Sequence, residues 1–164
     1  MAWRTFLLVL LSSTALAQTP AVRAELTSFV VQQDPQSRRE GLLSEKAALP
    51  GDVVLWKATA VNGGPTPLHD LDVTVPIPSS TRYVEGSAAP LTLGKTRILP
   101  RFSFDGGRNF GFAPLKKRVV TTEGGRRLEK EVEVRPDEYT HVRWSIPTLD
   151  ARSKAEVTLR TRVR

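Results

Sequence analysis

The sequence predicts an all-β protein, an antiparallel β-sandwich with a protruding two-stranded arm. Two observations lead there. Apolar and polar residues alternate with period two in stretch after stretch, each bounded by Gly, Pro, Asn or Asp. The twelve prolines are scattered, and no window between them carries a long helical period. There is also no cysteine, so the fold must rest on its apolar core rather than on disulfides. The same absence rules out thiolate metal sites, cysteine nucleophiles and redox dithiols.

Residues 1–17 read as a cleaved secretory signal peptide. Arg4 gives a positive start, "FLLVLL" an apolar run, and Ala15 and Ala17 a small-x-small cleavage site before Gln18. The run is too short to span a bilayer comfortably, although an uncleaved N-terminal anchor is the alternative. No later stretch has membrane length, so no membrane span is expected after cleavage. No cysteine stands at the cut to take a lipid. The expected location is outside the cytoplasm: periplasm, cell envelope or extracellular. The remaining chain suits one domain, in which residues 18–46 supply an N-terminal strand and a polar connector and residues 47–164 form the main body.

In chain order, "AELTSFVVQ" is the first strand, and "DPQSRREGLLSEKAALPGD" is the connector, with room for one short helical turn. In "DVVLWKATAVN", Val54, Trp56, Ala58 and Ala60 share one face, and Lys57 and Thr59 the other. "NGGPTP" breaks the pattern: Asn62, Gly63 and Gly64 tolerate positive φ, and the prolines cannot donate to a ladder. That connection is long enough to cross between sheets rather than close a tight hairpin. In "HDLDVTVPI", Leu71, Val73, Val75 and Ile77 share a face opposite Asp70, Asp72 and Thr74. "TRYVEGS" and "LTLGKTRIL" are a fourth and a fifth strand. "RFSFDGGRNFG" is a strand, a tight turn and a loop. "LKKRVVTTEGGRRLEKEVEV" is the arm, turning at Gly124–Gly125, and "YTHVRWSIP" and "AEVTLRTRV" are two further strands.

These pieces resemble a known family, the bacterial cell-surface repeat called domain of unknown function eleven. The resemblance rests on "PGDVVLWKATAVNGG", "LHDLDVTVPIP" and "TRYVEGSA" in that order, with "FSFDGGRNFG" and "VRWSIPTLDARSKAEVTLRTRV" behind them. It covers roughly residues 47–164. One departure is that Val75 and Pro76 stand where the family often has an aspartate before its proline-ended turn. The resemblance implies an immunoglobulin-like sandwich, here as a single copy of what is elsewhere a tandem repeat. It also implies a structural or adhesive role in a bacterial envelope, and it brings no catalytic residues.

No constellation for chemistry emerges from the residues themselves. His69 lies near Asp70 and Asp72, but the other histidine, His141, is far along the chain, and a metal site needs three or four convergent ligands. Asp105 and Asn109 suggest calcium, yet Gly107 and Arg108 occupy positions where oxygen ligands are wanted, so a turn with Gly106 and Gly107 at positive φ is favoured. The Gly-Gly pairs at 63, 106 and 124 lack a strand-to-helix context for a phosphate loop. Ser28, Ser79, Ser80 and Ser103 carry no nucleophile-elbow motif. Trp56 and Trp144 fit core packing better than stacking platforms, since each shares a face with Val, Ala or Ile. No metal, cofactor or catalytic residue is therefore expected, and the protein is read as not an enzyme.

The arm is the informative charged feature. Arg108 to Arg135 contains eight Lys or Arg against four Glu, in a chain of net charge +7. A turn at Gly124–Gly125 sets Glu123 opposite Arg126, Arg118 opposite Glu131 and Lys116 opposite Glu133, which favours that register. Leu115, Val119, Leu128, Val132 and Val134 form the other face. The candidate binding residues are Lys116, Arg118, Arg126 and Arg127. The expected partner is an envelope or surface-layer protein, or an anionic envelope polymer or polysaccharide. The plain alternative is a solvated hairpin. Nucleic acid suits the charge but not the export, and a hydrolase would need a triad assembled by the fold.

Overall fold

Alternation becomes strand almost wherever the sequence shows it. The computed structural model describes residues 22–33, 40–44, 47–123 and 126–164. The segment read as a signal peptide and the turn expected at Gly124–Gly125 lie outside the described residues. The strands are β1 Val22–Gln33, β2 Glu40–Leu43, β3 Val53–Asn62, β4 Leu68–Pro76, β5 Thr81–Tyr83, β6 Leu91–Leu93 and β7 Thr96–Ile98. They continue with β8 Arg101–Ser103, β9 Lys116–Glu123, β10 Arg126–Glu133, β11 His141–Leu149 and β12 Lys154–Val163. One 3₁₀ turn, Pro136–Glu138, precedes β11.

A five-stranded sheet has the order β2-β1-β3-β12-β5 and a three-stranded sheet the order β4-β11-β8. All pairings are antiparallel. One apolar core lies between the two sheets: Ala58, Ala155, Val157 and Leu159 from the larger, and Val75, Phe102, Val142, Trp144 and Ile146 from the smaller. Strand periodicity explains this directly, because alternate residues of β3, β11 and β12 point into one buried layer. The protein is thus an all-β sandwich.

β3 and β4 lie in different sheets, so the break after Asn62 does cross between them. Asn62 is what holds that crossing. Fully buried, it donates from Nδ2 to the carbonyls of Thr66 (2.8 Å), Leu149 (3.1 Å) and Asp150 (2.9 Å). Its Oδ1 accepts the Gly64 N–H at 3.0 Å. One side chain thus ties the crossover to the turn between β11 and β12. The β4–β11 ladder lacks a pair only at Asp70 and Pro147, where proline has no N–H to give and Asp70 adopts a φ of 53°.

Several expectations need correction. The connector holds a strand, β2, whose Glu40 receives both Arg160 guanidinium nitrogens, at 2.8 and 2.6 Å. The segment 91–99 is two strands rather than one, folded back at Gly94, which takes a φ of 57°. The strand beginning at Thr81 ends at Tyr83. Trp144 is in the core, with its Nε1 donating to the Ala89 carbonyl at 3.0 Å. Trp56 is only half-buried and packs against the core's edge, donating to Thr161 Oγ1 at 2.9 Å.

Candidate functional site

The arm is β9 and β10, in the register the charges favour: Lys116 opposite Glu133, Arg118 opposite Glu131, Arg127 opposite Thr122 and Arg126 opposite Glu123. Its root is fixed by buried Leu115 and Val134, joined by a Val134 N–H to Leu115 C=O bond of 2.8 Å. Beyond the root the hairpin leaves the body. Every residue from Arg126 to Glu131 is exposed, and Val120 and Leu128, on opposite faces, keep 53% and 42% of their surface in solvent.

Strand alternation separates the four candidate cations. Lys116, Arg118 and Arg127 share one face, and Arg126 lies on the other with Leu128. The four therefore do not emerge together. The ion pairing also departs from the straight-across pattern. Lys116 Nζ reaches Glu131 diagonally at 3.5 Å. Lys117, on the apolar face, bonds Glu138 of the 3₁₀ turn, and that bond holds the Glu138 carboxyl below its usual range. Among the described residues, Arg118 and Arg127 have no ion pair. The same face also carries Glu129, Glu131 and Glu133, so its charges balance, while Lys117, Arg126 and Lys130 fall on the other face.

At the foot of the arm lies a cavity of about 520 Å³, lined by Tyr83, Glu85, Phe102, Pro114, Glu133 and Tyr139. Its aromatic rings pack on one another, with Phe102 5.4 Å from Tyr83 and 4.9 Å from Tyr139 between centroids. Burial raises the pKa of both tyrosine hydroxyls, so they stay neutral. The two glutamates make this hollow acidic, opposite in sign to the arm above it. Tyr83 and Tyr139 are apart in sequence, which is why the hollow is not legible there.

The fold brings Ser103, Asp105 and His141 together. Ser103 and His141 are directly paired on β8 and β11. These are the residue types of a triad, but the hydrogen bonds run otherwise. Ser103 Oγ donates to Asp105 Oδ1 at 2.8 Å and accepts the Gly107 N–H at 3.0 Å, while His141 Nδ1 lies 3.1 Å from Thr140 Oγ1. A nucleophilic serine needs its hydroxyl aimed at the base that will take its proton, and here it donates to the Asp105 carboxylate instead of the imidazole. Ser103 is also fully buried.

Asp105 is the hub of the following loop. It accepts the Arg108 N–H (3.1 Å), the Asn109 N–H (3.0 Å) and Asn109 Nδ2 (2.7 Å) besides the serine. Three of the four donors converge on Oδ1 and one on Oδ2, so the carboxylate is committed to its own loop. Gly106 and Gly107 take φ values of 78° and 83°, as the turn reading required. Asn109 first, and then Ser103, hold the Asp105 pKa far below the usual carboxylate value. A depressed pKa stabilises the fold above the unfolded value, and that contribution is lost only as pH falls through the folded one. An NMR titration should find Asp105 still ionised at about pH 3, where a free Asp of pKa about 3.9 is mostly protonated. An ordinary titration would mean the loop's bonds are not kept in solution.

No family model, no curated protein and no solved structure matches this chain.

The other candidates are placed as follows. His69 is exposed on β4, its Nδ1 3.2 Å from Thr148 Oγ1. His69 and Pro76 lie seven residues apart along β4, and Pro76 pairs with His141, so the two histidines are about 23 Å apart at strand rise. Asp72 is occupied by Arg143 at 3.1 Å, and that guanidinium stacks 3.8 Å over Phe110, pinning the loop after β8. Trp56 borders a cavity of about 300 Å³ with Phe29, Leu43 and Val163.

Proposed function

We propose that the chain is an exported, non-catalytic structural or interaction component of a bacterial envelope, an immunoglobulin-like domain of the surface-repeat kind. The observation that carries the interaction reading is the arm, which is solvated on both faces and carries Arg118 and Arg127 outside any ion pair among the described residues. A purely structural hairpin would gain from neutralising them, as Lys116 and Lys117 are neutralised. The partner is an acidic face of an envelope or surface-layer protein, and an anionic envelope polymer or polysaccharide is the second reading. Attraction of this kind acts mainly through the on-rate and is screened over about 8 Å at physiological salt.

The test is co-sedimentation of the protein with isolated envelopes. Arg118→Glu with Arg127→Glu should leave the melting temperature unchanged and abolish most of the association at low salt. Arg126→Glu should reduce it as well, since Arg126 shares its face with Lys117 and Lys130. Wild-type association should fade as salt rises. Retention by protease-stripped envelopes selects the polymer, and loss selects the protein. Association unaffected by the double reversal would make the arm a solvated hairpin.

A further inference from the structure

The first half of β1 is a bare edge. On one side the strand pairs with β3 from Val22 to Val31, but on the other β2 covers only Val30 to Gln33. Among the described residues nothing pairs with the outer edge from Val22 to Phe29. The core-side residues there are uncovered as well: Val22 and Leu26 are 40% and 45% exposed. They form one wall of a groove of about 360 Å³, with Ala58 and Ala60 as its floor and Leu71 and Val73 of β4 opposite. A strand edge of this kind, apolar on its inner face, is a template for another strand.

We propose that the occupant is a second copy of this chain, added antiparallel along β1 about a two-fold axis at Ala24. The stretch "VRAEL", residues 22–26, is self-complementary in that register. Val22 meets the partner's Leu26, Ala24 meets the partner's Ala24, and Arg23 meets the partner's Glu25, with each unlike pair made twice. The apolar pairs lie on the core side and the ion pairs on the outer side, as the pleat requires. An axis at Arg23 or Glu25 would set like charges against each other. An axis between residues would set core-side residues against outer ones, the cost of any one-residue slip. The contact is isologous and closes at two copies, joining both five-stranded sheets into one. It leaves the arm free, so it stands or falls separately from the arm's role.

The experiment is light scattering on the purified exported protein and its charge variants. Wild type should show twice the monomer mass. Arg23→Glu and Glu25→Arg each turn both ion pairs into repulsions and should raise the dimer's dissociation constant about ten-fold or more. Mixed in equal amounts, these two variants should recover the dimer, because each mixed pair again sets Glu against Arg twice. The combined Arg23→Glu, Glu25→Arg chain should also dimerise alone. It decides the matter if a single variant fails to fold by circular dichroism. A monomeric wild type, a dimer that withstands either single reversal, a mixture that stays monomeric, or assembly that depends on the arm would each overturn the proposal.

Discussion

Trp144→Ala should bring the domain close to unfolding. The side chain is fully buried at the middle of the three-stranded sheet, and its truncation removes the largest wholly buried side chain in the core. Deleting a buried Trp costs about 3–5 kcal/mol through lost transfer energy and an unfilled cavity. It also strips the Ala89 carbonyl of its donor. Against a usual total of about 5–15 kcal/mol, that is a large share. Urea titration followed by far-ultraviolet circular dichroism should show a much lower midpoint. Trp56→Ala should cost less, about 1.5–3 kcal/mol for a side chain only partly withdrawn from water, although it leaves the buried Thr161 hydroxyl without its donor. Equal losses at the two positions would mean the core reaches Trp56 in solution.

Asn62→Asp should be the most damaging near-isosteric change, and its cost should depend on pH. The Asn62 amide faces three carbonyls, and only a donor can satisfy them. A carboxylate there is buried, repelled, and leaves acceptors orphaned at about 1–3 kcal/mol each. Burial and the carbonyls both favour the protonated acid, so the variant's folded pKa lies above its unfolded value of about 3.9. A raised pKa gives stability that is present below the unfolded value and lost as pH rises through the folded one. The difference in urea midpoint between wild type and variant, measured at matched pH, should be small in acid and widen toward neutrality. A constant difference would place the loss in packing rather than in charge.

The two tryptophans also show what the sequence could and could not say. Each sits on an alternating strand among Val, Ala or Ile, so alternation alone ranks them equally. What separates them is how each is covered. Trp144 is sealed between the sheets, whereas Trp56, on the central strand of the larger sheet, borders the cavity it shares with Phe29, Leu43 and Val163. That depends on how the sheets meet, which periodicity does not encode. The arm's register was legible because Gly124–Gly125 and the flanking charges agree on it, and the β3–β4 crossing because a polar break separates two alternations. The diagonal Lys116–Glu131 contact was not, since long side chains reach a neighbour as easily as the residue opposite. Asn62 carried a signal only as a turn former, because its carbonyl partners at 149 and 150 are joined to it by the fold.

The place of β12 sets the order in which this protein can form. β12 lies between β3 and β5, so the earlier strands of the larger sheet form a group, β2-β1-β3, and a lone strand with nothing joining them. Each bridging contact is between residues far apart in the chain, the arrangement that makes folding slow. Leu159 and Val157, among the most deeply buried side chains, arrive with that strand. A growing chain therefore stays open, with its apolar strand faces unsealed, until Lys154–Val163 is available.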